Sequence, residues 1–356
     1  MFDSKLFASK LADITPYTVD TASYEVRLDA NESFISMPAS MREKFAAETE
    51  KLAFNRYPDP NASELCTAFS AYYGIDRENV AAGNGSDEII SVLMNGFVDK
   101  GSSVISFSYD FSMYAFYARL AELRSVVCPK NRDLQIDFSK ADEYIKNTGA
   151  KICIFSNPCN PTGRIEKKSD IAALAAKNPG TIFVVDEAYM DFAGELSESE
   201  SFLRDNASYT NIVVLKTMSK AIGSAALRLG FIVADKKFCD MFKAVKSPYN
   251  VNRVSQAFGK VIMSDRALLD ESIKLIREQT ELLQSGLAAR SIAPFPKMHT
   301  NFVFIETPSA KDIYEYLKER GVLIRYFSSY GALRITAGSQ SENERLFALL
   351  DEYLGK

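Results

Sequence analysis

A chain of 356 residues, 47% apolar and 25% charged with a net charge of −4, is long enough for two domains, or for one large domain with a smaller appendage. Its mild acidity argues against a nucleic-acid surface, because there is no basic excess to displace counterions from phosphates. No apolar run reaches the roughly 18 residues of a membrane span, and five scattered cysteines without a C-x-x-C pair suit a reduced compartment rather than a zinc site.

The opening stretch, MFDSKLFASKLADITPY, lacks a hydrophobic core followed by a small-residue cleavage site, so a cytoplasmic protein is expected. Thr15-Pro16-Tyr17 and Leu28-Asp29-Ala30-Asn31-Glu32 read as extended arm and turn. A helix is expected from 38 to about 53 with Pro38 at or near its first turn. The two prolines of Asn55-Arg56-Tyr57-Pro58-Asp59-Pro60 then force an extended path, either a linker or a loop that presents Tyr57 to a partner surface. Helical spacing over 63–73 is stopped by Gly74. Next, Val80-Ala81-Ala82-Gly83-Asn84-Gly85-Ser86-Asp87-Glu88 gives a short strand, a glycine turn and a helix N-terminus. That order makes an anion site, with the amides of Ser86 and Asp87 and the helix dipole facing the anion.

Strand-like runs recur at 103–108, 124–128, 151–155, 181–186, 212–216 and 229–234, separated by helical or loop stretches that include a helix over 169–177. The pattern predicts a largely parallel sheet covered by helices, whose ligands sit at the carboxyl ends of the strands. Three clusters fall there: Asn157 to Gly163 (NPCNPTG), Asp186-Glu187-Ala188-Tyr189, and Ser219-Lys220 with Arg228 eight positions on. A lysine beside a buried strand is a candidate for a desolvated, nucleophilic amine, and Ser219 and Arg228 suit a phosphate. A long helix over 252–289, breaking near Ser264-Asp265, leads to a strand over 300–306, a helix over 309–320, strands at 322–325 and 333–336, and a last helix over 341–354. These predict a small α+β domain. His299 is the only histidine; a multi-histidine metal centre is thereby excluded, and the chemistry falls to lysine, tyrosine, carboxylate or a cofactor.

In order, GNGSDE, NPCNPTG, DEAY, SKAIGSAALRLG and LRIT resemble the fold type I pyridoxal-phosphate enzymes. TPY, LDANES, NRYPDP, FSMY, GVLIRYF and LRITAGSQSENERL narrow the resemblance to class I/II aminotransferases of the histidinol-phosphate aminotransferase branch, over nearly the whole chain. The resemblance implies a large domain over 46–250, a small domain over 251–356, and an arm with part of the small domain over 1–45. It also implies pyridoxal 5'-phosphate as cofactor and a homodimer with shared sites.

By the same resemblance, Lys220 forms the internal Schiff base and shuttles the proton between Cα and C4′. Asp186 faces the pyridine nitrogen, Tyr189 and Asn157 donate to O3′, and Phe111 stacks on the ring. Gly85, Ser86, Asp87, Ser219 and Arg228 hold the phosphate, joined by Tyr57 from the second subunit. Arg334 grips a substrate carboxylate, Arg325 meets the distal acidic group, and Tyr17 closes over the substrate. Three departures from the branch are Cys159 where relatives commonly have asparagine, Ala226 where many have glycine, and a short SSYGA link at 328–332.

The expected reaction is ping-pong transamination between histidinol phosphate and 2-oxoglutarate in histidine biosynthesis. The alternatives are an aminotransferase for aromatic or other amino acids, threonine-phosphate decarboxylase, and a catalytically idle binding protein on the same scaffold. A dinucleotide-binding dehydrogenase fails, because GNGSDE lacks the later glycines of a G-x-G-x-x-G run.

Overall fold

The computed structural model describes residues 6–11, 14–16, 20–292 and 298–355. Tyr17, expected over the substrate, lies outside the described residues. In chain order the elements are β1 (Val26–Leu28), α1 (Ala39–Thr49), α2 (Ser63–Tyr73), β2 (Val80–Gly83), α3 (Gly85–Gly96), β3 (Ser103–Phe107), α4 (Met113–Leu120), β4 (Arg124–Cys128), α5 (Phe138–Thr148), β5 (Ile152–Ser156), α6 (Lys168–Lys177), β6 (Ile182–Asp186), α7 (Leu196–Ser199), β7 (Ile212–Thr217), β8 (Gly230–Val233), α8 (Lys236–Val245), α9 (Arg253–Met263), α10 (Arg266–Ala289), β9 (Phe302–Glu306), α11 (Ala310–Glu319), β10 (Val322–Phe327), β11 (Ala332–Thr336) and α12 (Gln340–Tyr353).

Seven strands form one sheet in the order β2-β8-β7-β6-β5-β3-β4. Its neighbours run parallel except at β8, which is antiparallel to both β2 and β7. Strands β3, β5 and β7 are buried along their whole length. Burial on both faces is why these segments read as continuous apolar runs rather than as alternation. Successive residues go to opposite cores. Ile105, Cys153, Phe183, Val185 and Val214 join α2, α5, α6 and α9, while Val104, Ile154, Val184 and Leu215 join α3, α4 and α8. This parity sends Asp186 to the α3–α4 side and Glu187 to the other.

The second sheet has the order β1-β10-β11-β9, with β1 parallel to β10 and the remaining pairs antiparallel. It packs on Leu283 and Leu287 of α10, Ile313 and Leu317 of α11, and Leu346, Leu349 and Leu350 of α12. The stretch around Leu28, expected to be arm and turn, therefore supplies an edge strand. Helix α1 ends at Thr49, short of the expected 53, and Pro38 stands at its N-cap, next to the first turn as expected. The break near Ser264-Asp265 is real: α9 stops at Met263 and the Asp265 side chain caps α10 by accepting from the Leu268 amide. Described residues contain no helix long and apolar enough to cross a membrane.

Candidate active site

The ends of β2, β7 and β8 meet the N-terminus of α3 at the expected anion cradle. Gly85 opens α3 with φ +83°, and a Cβ there would lie 2.8 Å from Nη2 of Arg228. At Gly230 a Cβ would sit 2.5 Å from the Ser86 nitrogen. The sequence thus needs glycine at both positions to let β8 and Arg228 close on the first turn of α3. Arg228 has φ +52°. It places Nη1 3.5 Å from Ser219 Oγ and Nη2 3.3 Å from Asp87 Oδ2. The Arg228–Asp87 pair is nearly half exposed on both sides and so contributes little by itself. The guanidinium is free to turn to a dianion held by the orphan amides of α3.

Asp186 ends β6, with its carboxylate on the α3–α4 side as parity requires. Oδ2 accepts from the Tyr114 hydroxyl at 2.9 Å, and Oδ1 accepts from the Ala188 amide at 3.1 Å. Burial pushes this carboxyl up to about 6, against the two donated hydrogen bonds. A protonated aromatic nitrogen in front of it would remove that cost. Phe111, just before α4, is half-buried and meets Tyr114 edge-on at 5.5 Å.

Two lysines stand near the end of β7. Lys216 is buried and paired with Asp191 at 2.6 Å on the Glu187 side. Lys220, in the turn beyond, is partly exposed and donates to the Ala30 carbonyl at 2.9 Å. Burial of its amine, reinforced by the cationic Arg334, lowers it to about 8. Roughly a tenth is therefore the neutral, nucleophilic amine at pH 7, far more than for an ordinary lysine. Tyr189 is buried; its hydroxyl oxygen accepts from Asn31 Nδ2 at 2.9 Å, leaving the O–H to donate. Asn157 is fully buried and both ends of its amide are tied to the Glu166 backbone, Oδ1 accepting at 2.8 Å and Nδ2 donating at 3.2 Å. One Nδ2 hydrogen is left for the cofactor role expected of it.

Asn160, three residues on, faces the cleft, and its Oδ1 accepts from Arg334 Nη1 at 2.7 Å. Arg334 Nη2 donates to the Asp29 carbonyl at 2.5 Å. Arg325 is exposed and lies directly opposite Arg334 in the β10–β11 register. The Phe327 ring touches both guanidinium groups, at 5.9 and 5.8 Å. The short link after β10 lays Tyr330 on Tyr109 at 4.1 Å between ring centres. Tyr57 is 77% exposed and stacks on Tyr249 of its own chain.

The sequence reading gave no individual role to Asn31, Tyr114 or Asn160. Asn31 is held at φ +54° and reaches Tyr189, Thr336 and Asn301 at once. A signal existed for Tyr114, since it lies one helical turn from Phe111 on the face toward β6. The second Asn-Pro pair in NPCNPTG was the signal for Asn160. A cavity of about 350 Å³ elsewhere, beside α10 and the segment after β6, has neither Lys220, Asp186 nor Arg334 in its lining. Chemistry rather than volume marks the site.

The small-residue cradle with backbone donors and an arginine, the buried carboxylate and the depressed lysine amine fit the phosphate, ring nitrogen and aldehyde of pyridoxal phosphate respectively. Comparison with known proteins gives the same fold and family. The family model for aminotransferase class I and II matches residues 20–350. A histidinol-phosphate aminotransferase from Clostridium novyi is 39% identical over 343 residues, 95% of this chain and 94% of that one. The crystal structure of histidinol-phosphate aminotransferase from Sinorhizobium meliloti in complex with pyridoxal-5'-phosphate superposes with a TM-score of 0.89 at 22% identity, covering 99% of this chain and 98% of the other. L-threonine-O-3-phosphate decarboxylase from Porphyromonas gingivalis has the same fold, with a TM-score of 0.77 at 24% identity over 93% of this chain and 100% of the other. The chain belongs to the class I and II aminotransferases, on their histidinol-phosphate aminotransferase branch.

Proposed function

We propose that this chain is a pyridoxal-phosphate-dependent, cytoplasmic homodimer that moves an amino group between histidinol phosphate and 2-oxoglutarate. Gly85, Ser86, Asp87, Ser219 and Arg228 hold the cofactor phosphate, with Tyr57 of the second subunit reaching the same group. When bound, the cofactor supplies an electron sink for charge developing at the substrate Cα. Asp186 holds a proton at the ring nitrogen, Tyr189 donates its hydroxyl hydrogen toward the ring oxygen, and Phe111 covers one ring face. Lys220, its amine poised near 8, takes the proton from Cα and returns one to the neighbouring carbon. To do so it leaves the Ala30 carbonyl, to which it donates at 2.9 Å.

The observation that carries the substrate reading is the cross-strand register of Arg325 and Arg334. Two arginines directly opposite each other repel, and a dianion relieves this better than a monoanion does. In histidinol phosphate the amine-bearing carbon carries a phosphorylated CH2–O group where an amino acid carries its carboxylate, so the pair meets nearly two negative charges at neutral pH. Glutamate offers two separate carboxylates to the same pair. Asn160 and the Asp29 carbonyl hold Arg334 ready for either.

The test is a panel of half-reactions followed by cofactor absorbance, with histidinol phosphate, glutamate, phenylalanine, tyrosine, aspartate and phosphothreonine as donors. Histidinol phosphate and glutamate are expected to convert the cofactor stoichiometrically to its amine form. An inert histidinol phosphate alongside a reactive aromatic donor overturns the substrate, not the chemistry. Release of CO₂ from phosphothreonine favours the decarboxylase.

A further inference from the structure

Beneath the site lies a buried charge cluster that no role above uses. The Asp110 and Lys130 side chains are 1% and 2% exposed, with Nζ 3.7 Å from Oδ2. Lys130 Nζ also donates to Cys159 Sγ at 3.0 Å, and that thiol donates to the Tyr109 carbonyl at 3.1 Å. A buried ion pair is weak evidence for stability, so the contacts it organises are informative.

Asp110 reaches the site in two directions. Its Oδ1 accepts from the Phe111 amide at 2.8 Å, fixing the backbone of the residue that covers the cofactor ring. The same carboxylate accepts from the Ser156 hydroxyl at 2.5 Å and from the Ser156 amide at 3.3 Å. Ser156 Oγ in turn accepts from the Asn160 amide at 2.9 Å, and Asn160 Oδ1 accepts from Arg334 at 2.7 Å. Hydrogen bonds thus run without a gap from a fully buried carboxylate to the guanidinium that receives substrate. Burial raises the Asp110 carboxyl from its ordinary value, while Lys130 and the Ser156 hydroxyl act against that rise.

We propose that Asp110, with Lys130 as its buried counter-ion, is a positioning residue that sets Phe111 for the cofactor and, through Ser156 and Asn160, sets Arg334 for the substrate anion. The proposal rests on the aminotransferase reading of the site. It divides the cluster into two arms that can be cut separately. Ser156→Ala cuts only the arm to Asn160, leaving Asp110 on Phe111 and Lys130. Asp110→Asn weakens both arms and strands the Lys130 charge.

The experiment measures KM for both substrates, kcat, cofactor Kd by fluorescence quenching of the apoprotein, and thermal midpoint, for the wild type, Ser156→Ala, Asp110→Asn and the double variant Asp110→Asn/Lys130→Met. Ser156→Ala is expected to raise KM for amino donor and 2-oxo acid alike with cofactor Kd unchanged. Asp110→Asn is expected to raise KM about tenfold, the loss typical of a charge-assisted hydrogen bond, and to raise cofactor Kd as well. The double variant, freed of the stranded charge, is expected to recover thermal midpoint but not KM. Unchanged KM in Ser156→Ala and Asp110→Asn, or a fall in kcat alone that tracks lost thermal stability, overturns the proposal in favour of a purely structural cluster. If the wild type itself transfers no amino group, the parent reading fails instead, and a cofactor Kd in Asp110→Asn equal to wild type then sinks the Phe111 arm independently.

Discussion

Asp186 and Arg334 belong to one site, but they are held in place in different ways. Asp186 ends a strand whose neighbours are buried, and its partners are Tyr114 on the helix covering that sheet and the Ala188 amide in the turn that directly follows the strand. Arg334 is held by the Asp29 carbonyl, 305 positions away in sequence, and by Asn160, 174 positions away. The first arrangement can move only with the large sheet. The second joins three stretches of chain that need not move together, and local openings draw on such joints first. The group that governs the chemistry is fixed, and the group that selects the ligand can adjust.

That contrast can be broken by kinetics. The largest effect is expected on the fixed side: Lys220→Ala should lower kcat by about 10⁴-fold or more, the combined scale of lost proton transfer and lost nucleophile, with far-UV circular dichroism unchanged. Asp186→Asn should lower kcat by about 10²- to 10³-fold and leave KM within a few-fold. An equal rise in KM would show that Asp186 also serves recognition and would dissolve the contrast.

Asp186→Asn also has a pH signature in the cofactor-free protein. The folded carboxyl, near 6, lies above its ordinary value of 3.8. The wild type therefore carries no charge-burial cost below the ordinary value and the full cost above about 6. The variant should be more stable than wild type by about 1–3 kcal/mol at pH 8, with the gain fading toward pH 4. Urea denaturation at several pH values measures this, and a gain that grows on acidification has the wrong sign.

On the adjustable side, Arg334→Lys keeps the charge and loses the planar fork. KM should rise about 10- to 100-fold while kcat changes little. Gly85→Ala tests the cradle. A methyl group there faces the Arg228 guanidinium at φ +83°, and cofactor affinity should fall about tenfold, from about 1–2 kcal/mol of strain. The smallest effect sharpens the comparison across the cleft. Cofactor uptake by the apoprotein should speed up with pH to about 8, following the neutral fraction of Lys220. Arg334→Gln should move that inflection upward, because a cation that disfavours the ammonium form is gone.

The same contrast explains what could be read in the sequence. Asp186 ends a continuous apolar strand, and the side it faces follows from counting residues along that strand, whereas Lys220 is found from the small-residue turn that follows β7. By contrast, β1 has three residues, and its pairing partner Val322 comes almost three hundred positions later, so nothing local distinguishes it from a loop. Asn31 was hidden with it. Asn157 and Asn160 sit in identical Asn-Pro pairs, and only tertiary contact with the Glu166 backbone tells which amide turns inward. The Asp110–Lys130 pair was invisible because its members lie on separate loops, each of which reads as a solvated surface charge until the strands are aligned.

The segment from Asp29 to Asn31 leaves one consequence. The main-chain oxygen of Asp29 already accepts from the Arg334 guanidinium, so a molecule arriving at that donor gains little by offering a neutral dipole in exchange. Only a formal negative charge improves on what the resting chain provides. The backbone therefore acts as an internal competitor that excludes uncharged look-alikes, and because it uses a carbonyl rather than a side chain, few point substitutions can remove it.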